Sequence, residues 1–464
     1  MRQGRSADRE PGAASGTRAV DPVFLLAAAL AMAAGLLGGA SRENPLRLAV
    51  VELTAVPLLA MGLRAVVRGR LPDDRPGRQL DLWIIAAAVG IPLLQLAPVP
   101  PEIWTRLPGQ AARLTALRVL GRQPPWLPMS LAPAATFRAI LALTPPLAMY
   151  LAIVRLSADQ THRLSWLWLG LAALGLMLGV GQMVEPGGGP AYLYATASVD
   201  SLVGVFANRN HEAAFLVCLA PVAAAIGLPP RPKRSERGNG SRTSWRRWLG
   251  ALFIAVAFVA LSAVRSRAGV LLAGPALAAA LLVIWRGRGR GEADRWRQAL
   301  PVAAAAAVAV AAVALFALTP ILARFDTGGS DLNRGQFWPI VMDAAQPFEP
   351  LGAGVGAFDR VFAAVEPLTL VGPRYLNHAH NDFLEIWLEA GWPGLAVVGA
   401  FLVWLVLANL RAWRSRSALA RAAGASVVLL LVFSVPDYPL RTETLAVFLA
   451  FCCGVLAAPT GSLA

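Results

Sequence analysis

The stretch Asn377-His378-Ala379-His380-Asn381-Asp382-Phe383-Leu384, continuing through Glu385-Ile386-Trp387-Leu388-Glu389-Ala390-Gly391, holds two of the chain's four histidines. Imidazole is the side chain best suited to take a proton near neutral pH. The stretch ends a long polar loop and directly precedes an apolar run. A proton acceptor at a water–lipid boundary points to chemistry there rather than to permeation. The helix that positions it is expected to begin at Asn381 or Asp382, either of which can cap it, and to stop at Gly391 ahead of Trp392-Pro393. Phe383, Trp387 and Ala390 share one apolar face of that helix. His380 then lies at its N-terminus, where the dipole disfavours imidazolium and attracts anions such as phosphate. His380 is the candidate catalytic base; the plainer alternative is a structural histidine at a helix cap. His378 is read as a supporting residue beside it. His378-x-His380-x-Asp382 is also the spacing of a metal half-site, but a metal needs a third ligand. Asp-x-Asp occurs nowhere in the chain, and neither a metal nor another cofactor is expected.

What must hold this loop follows from composition. Of 464 residues, 56% are hydrophobic and 15% charged. Apolar runs recur at about the length a helix needs to cross a bilayer. About twelve candidate spans can be drawn, at 23–40, 48–63, 81–98, 136–154, 164–183, 212–228, 248–264, 269–285, 299–319, 394–410, 422–436 and 443–457. The expected architecture is an all-α integral membrane protein: a disordered cytoplasmic tail (1–22), nine spans with short loops (23–319), a large outer loop carrying the histidines (320–393), and three final spans with a cytoplasmic C-terminus (394–464). The first span lacks a small-residue cleavage site and is read as a retained helix. Cys218, Cys452 and Cys453 all fall in apolar runs and read as small buried hydrophobes.

Arginine sets the orientation. The loops at 64–79, 229–247, 286–298 and 411–421 are dense in it and are assigned to the cytoplasm. The net charge of +15 is therefore a topology signal, and nucleic acid is not an expected partner. The outer loops are then 99–135, 184–211, 265–268, 320–393 and 437–442. They hold nearly all the unusual polar residues, whereas the spans carry few charges. A transporter would keep ionisable groups near the midplane, so an enzyme on the outer face is favoured.

Several outer residues can bind an anionic substrate. Arg265 and Arg267 flank a very short turn and break the inner bias of the arginines. Their forked donors suit phosphate; interfacial anchoring is the alternative. Asn208, Arg209 and Asn210 sit just above a span, where the asparagines could instead cap its helix. Arg334 opens a short amphipathic segment that runs to Asp343, with Trp338 near the interface. Asn381 adjoins the candidate base. Asp437 and Arg441 read as a structural pair, and Glu389 as a residue that could orient another side chain. Trp104, Trp126 and Trp338 read first as an interfacial aromatic belt.

Taken in order, these elements resemble the bacterial O-antigen ligase / polysaccharide polymerase family. The resemblance rests on His380-Asn381 with Leu384 and Glu389-Ala390-Gly391; on Arg334 to Trp338; on Pro350-Leu351-Gly352-Ala353-Gly354; on Gly204, Phe206, Asn208 and Asn210; on Ser266 to Gly269; and on Asp437, Pro439, Leu440 and Arg441. It runs from about residue 80 to 457, and the order of the elements is more specific than any one of them. It implies a GT-C-like membrane fold in the bacterial inner membrane. It also implies transfer of a glycan from undecaprenyl diphosphate to an acceptor hydroxyl (on a lipid A-core or a glycan chain) at the periplasmic face. Ligase and polymerase stay open as alternatives, with a lipid-linked oligosaccharide transporter behind them.

Overall fold

The computed structural model describes residues 21–41, 44–71, 78–228, 244–286, 299–304, 307, 311, 337–371 and 375–458. The N-terminal tail, Arg334, most of the span expected at 299–319 and much of the loop after it lie outside the described residues.

The described chain is helical, with one two-residue strand pair. In order it forms α1 (Pro22–Leu37), α2 (Pro45–Val67), α3 (Arg78–Leu96), β1 (Pro98–Val99), α4 (Pro101–Trp104), α5 (Ala111–Val119), β2 (Leu127–Pro128), α6 (Pro133–Ala142), α7 (Thr144–Ile153), α8 (Ala158–Val184), α9 (Arg209–Gly227), α10 (Ser244–Val264), α11 (Arg267–Trp285), α12 (Phe337–Ala345), α13 (Phe358–Val365), α14 (Asp382–Arg414), α15 (Ala418–Phe433) and α16 (Glu443–Ala457). Among the described residues, 8 helical segments are long and apolar enough to cross a membrane, and α1, α15 and α16 are shorter apolar helices. The expected span at 136–154 is two helices, α6 and α7, with Thr144-Pro145-Pro146 at the junction. Proline lacks the N–H that would bond back to the preceding turn, so the break falls there.

Helix α9 is the centre. Every residue from Asn210 to Gly227 is buried, among α8, α10, α11 and α15. Its alanine-rich sequence lets neighbours approach closely: a Cβ built at Gly269 of α11 would stand 2.7 Å from Ala213, and one at Gly250 of α10 would stand 2.6 Å from the Ala223 carbonyl. Small residues at such contacts are the usual means of packing helices where lipid offers no hydrophobic drive. Large apolar side chains on the outer ring, such as Leu53, Trp83, Met177 and Leu271, remain exposed, as lipid-facing residues should.

A second, smaller core lies off the bundle. Phe337, Val341, Phe358, Phe362, Leu376 and Leu388 cluster there, with the Phe358 and Phe362 rings stacked at 5.5 Å. It unites α12, α13 and the first limb of α14. That limb ends at Gly391, where φ is 58° and ψ −151°. Gly391 does not stop the helix as expected; it kinks it, and the helix resumes into the membrane through Trp392-Pro393. Glycine is needed because a Cβ here would enter the Pro350 carbonyl and this positive-φ, extended backbone is one that essentially only glycine adopts.

The kink exposes the carbonyls that close the first limb, and the segment around Pro350 covers them. Ala353 N–H donates to Leu388 O at 2.9 Å, Gly354 N–H to Glu389 O at 2.9 Å, and Trp392 N–H to Pro350 O at 2.9 Å. Gln95, at the end of α3, donates to Glu389 O at 3.0 Å and accepts from Val355 N–H at 2.9 Å. The loops expected on the outer side thus gather at one end of the bundle. Leu131 N–H bonds Ala353 O, Leu202 N–H bonds Ala263 O, and Asn210 reaches Asp437.

Candidate active site

His380 occupies the position before the helix cap and has a φ of 50°, a left-handed conformation that histidine tolerates better than most residues. Asn381 is the cap: its side-chain oxygen accepts from Phe383 N–H and Leu384 N–H, both at 3.0 Å. The reversal at His380 brings its ring against Tyr438, at 4.6 Å between centroids. His380 Nδ1 stands 3.5 Å from Asp437 Oδ1, with the histidine side chain 18% exposed and the aspartate fully buried.

Asp437 is fixed from several sides. Asn210 Nδ2 donates to its Oδ2 at 2.5 Å, and Tyr438 N–H donates to its Oδ1 at 2.9 Å. His211 Nε2 lies 4.0 Å from Oδ1. Tyr438 is the hub of the aromatic contacts, with His378 at 4.6 Å and His211 at 5.1 Å. Three of the four histidines therefore surround one tyrosine. Only sequence elements far apart in the chain, α9, the 375–381 segment and the 437–441 turn, bring them together.

Beneath the histidines lies a buried ion cluster. Asp382, Glu385 and Glu389 recur at i, i+3 and i+7, which places them on one helix face. That face, and not the Phe383-Trp387-Ala390 face, is the more deeply buried one: the three acids are buried together with Leu388, whereas Phe383 and Trp387 are only half-buried. Arg441 answers all three. Its Nη2 is 3.1 Å from Glu389 Oε2 and 3.3 Å from Glu385 Oε1, and its Nε is 3.7 Å from Asp382 Oδ1. Burial works against the guanidinium charge, but the carboxylates outweigh it and raise the Arg441 pKa further. The pair expected between Asp437 and Arg441 is thus better described as two anchors, Arg441 for the acidic face of α14 and Asp437 for the histidine side.

Glu385 also links the cluster to the loop. Its Oε1 meets His378 Nδ1 at 2.7 Å, and its Oε2 accepts from Ala379 N–H at 2.9 Å. Burial pulls the His378 pKa down, yet the Glu385 charge and hydrogen bond win and raise it. His378, His380 and Asp382 consequently face different partners: Glu385, Asp437 and Arg441. Among the described residues no three His, Cys, Asp or Glu side chains are grouped as metal ligands.

Of the other expected binding residues, Asn208, Arg209, Arg265 and Arg267 lie at the end of α9 that carries Asn210. Asn208 caps α9 by accepting from Asn210 N–H at 2.9 Å, and Arg209 opens that helix. Arg265, with φ at 55°, and exposed Arg267 flank Ser266, which caps α11 by accepting from Gly269 N–H at 3.2 Å. The Gly269–Ala213 contact puts this turn at the same end of α9 as Asn208 and Arg209. Arg334 lies outside the described residues. Trp104, expected in the interfacial belt, is instead fully buried and donates to Pro125 O at 2.8 Å.

The family model for O-antigen ligase matches residues 250–399. No curated protein matches the chain. The match spans the Ser266–Gly269 turn, the stretch from Arg334 to Trp338, the Pro350–Gly354 segment and the His380-Asn381 motif with its acidic helix, four of the elements that carry the resemblance, and it supports membership of the chain in the O-antigen ligase family.

Proposed function

We propose that this membrane protein is a glycosyltransferase of cell-surface polysaccharide synthesis. It moves a glycan from undecaprenyl diphosphate to an acceptor hydroxyl at the periplasmic face of the bacterial inner membrane. The observation that carries the reading is His380: a part-exposed imidazole whose Nδ1 faces a fully buried carboxylate at 3.5 Å. Asp437 orients the ring and favours the tautomer with the proton on Nδ1. Nε2 is then the nitrogen that accepts the acceptor hydroxyl's proton as that oxygen attacks the anomeric carbon. Such contacts are often long before substrate binds.

The bond between the anomeric carbon and the diphosphate oxygen breaks with inversion, and undecaprenyl diphosphate leaves with the bonding pair. Arg265, Arg267 and Arg209 are the residues proposed to take up that charge, with Arg334 as a further candidate. Preorganised donors of this kind are typically worth about 3 kcal/mol each in the transition state. Asn208, Asn210 and Asn381 act through the backbone and Asp437, holding the site's shape. An apolar groove of about 630 Å³ between α14 and α15, lined by Phe383, Leu405, Val406, Leu431 and Val435, supports a donor carried on a lipid. Phe383 at its rim is three residues from His380. Neither a metal nor a nucleotide sugar enters this scheme.

The same chemistry serves a ligase, which attaches finished glycan to a lipid core, or a polymerase, which extends a glycan chain. Purified protein in nanodiscs, given undecaprenyl-diphosphate glycan and each acceptor in turn, decides. A single gel shift of the lipid core supports ligase activity; a ladder of lengthening glycan supports polymerase activity; no product with either acceptor removes the proposal.

A further inference from the structure

The excursion between α3 and α6 is a built unit that the proposed chemistry does not use. Its neck is the β1–β2 pair, Pro98 opposite Pro128 and Val99 opposite Leu127. Inside, Trp104 is fully buried and bonded to Pro125 O. Gln110 donates to Met129 O at 3.0 Å. Arg113 is spent internally, donating to Pro128 O at 2.9 Å and Ser130 O at 2.5 Å.

Its outside is unlike that of an ordinary solvated loop. Helix α5 buries none of its residues. Val119 is 83% exposed, and Leu120, Trp126 and Ile103 are exposed as well. Arg106, Arg118 and Arg122 are exposed among them. Residues 101–126 contain four arginines and one acid, Glu102, so three basic charges are left over. The tip Arg118-Val119-Leu120-Gly121-Arg122 is held in a tight helix cap: Gly121 N–H bonds Arg118 O at 3.0 Å and Arg122 N–H bonds Leu117 O at 2.9 Å, with Gly121 at a φ of 64°. The two apolar side chains are thereby fixed outward between two arginines.

Depth in the membrane follows from the neck. Pro98 comes two residues after the end of α3, and Pro128 five residues before the start of α6, so the unit is rooted where two spanning segments leave the bilayer. Apolar and aromatic residues interleaved with arginine at that depth are the composition of an interfacial element. We propose that the 98–128 excursion is an interfacial anchor whose exposed apolar residues and Arg106, Arg118 and Arg122 seat on a bilayer surface bearing anionic phospholipid headgroups. The inference stands apart from the glycosyltransferase reading, since it concerns where the unit lies and not what the histidines do. Its effect on the site is mechanical. Leu131 N–H bonds Ala353 O at 2.8 Å just beyond the neck, and Thr136 Oγ1 donates to Val355 O at 2.7 Å, so seating the unit steadies the segment that covers the end of the α14 limb.

The test uses full-length Val119→Cys protein carrying an environment-sensitive fluorophore; the native cysteines Cys218, Cys452 and Cys453 are buried. The protein is placed in nanodiscs of phosphatidylcholine alone or mixed with phosphatidylglycerol, each with a headgroup-proximal nitroxide lipid as quencher. The expected result is strong quenching with phosphatidylglycerol, weakened by salt. It should be cut at least several-fold in the Arg106→Gln/Arg118→Gln/Arg122→Gln variant, each arginine near a charged membrane being worth roughly a fivefold change in affinity. Equal quenching in both lipids, unaffected by the variant, would overturn the recognition of anionic headgroups. A label that stays in water until a phosphorylated acceptor saccharide is added would hand the surface to the acceptor instead and also defeat the proposal.

Discussion

Arg441 is the residue on which the site's electrostatics turn. Three buried carboxylates on one helix face cannot share a site without a compensating charge, and Arg441 is within 4 Å of all three. Arg441→Ala should therefore destabilise the protein by about 3–5 kcal/mol, the usual result of stranding a buried charge. Arg441→Lys should recover only part of that, because an ammonium cannot reach three carboxylates with a planar fork. Thermal unfolding in detergent measures both, and an alanine variant as stable as the parent would contradict the cluster's role. His378 gives a pH signature. Its folded pKa is raised by Glu385, so its contribution to stability is fully present below the unfolded imidazole value of about 6.5. That contribution is lost as pH rises through the higher folded value. The stability gap between parent and His378→Gln should thus shrink as pH is raised from mildly acidic to alkaline. A gap that widened over that range would show that the His378–Glu385 contact does not favour the imidazolium.

At the scale of elements, the kinked α14 and the segment that covers its end act together. Gly391→Ala would put a methyl group into the Pro350 carbonyl and force alanine into a positive-φ, extended backbone that essentially only glycine adopts, which by itself costs about 1–3 kcal/mol. Loss of activity together with lowered stability is expected. Gly90→Ala, in open space on α3, should be neutral or stabilise slightly, since alanine is the better helix former by about 1 kcal/mol. Equal effects at the two glycines would mean that the kink is not under constraint. Much of this element was legible beforehand. The Asn381 cap, the helix from Asp382 and the break near Gly391 each follow from local residue types. The acidic face was not legible, because Asp382, Glu385 and Glu389 sit in a helix where acids normally face water, and the Arg441 that lets them be buried lies about 50 residues on. Gln95 was invisible for the same reason: a glutamine ending an apolar run gives no hint that it will bond the main chain of residues 351, 355 and 389.

For the whole molecule, the apolar runs announced the apolar helices because length and hydropathy alone define them, whereas only the fold shows that α9, and most of α16, are enclosed by other helices rather than by lipid. The gathering of Asn210, His211, His378, His380 and Asp437 at one end depends on how distant helices pack, which no local pattern encodes. The proposed orientation makes that end periplasmic. Reporter fusions near residue 235 and near residue 345 should accordingly read cytoplasmic and periplasmic; both on one side would remove the site from the outer face. The central claim is more direct still. His380 should be the base that deprotonates the acceptor hydroxyl, so purified His380→Ala protein should fold, bind undecaprenyl-diphosphate glycan as the parent does, and form no transfer product on a gel. Turnover like the parent's in that variant would contradict the assignment outright.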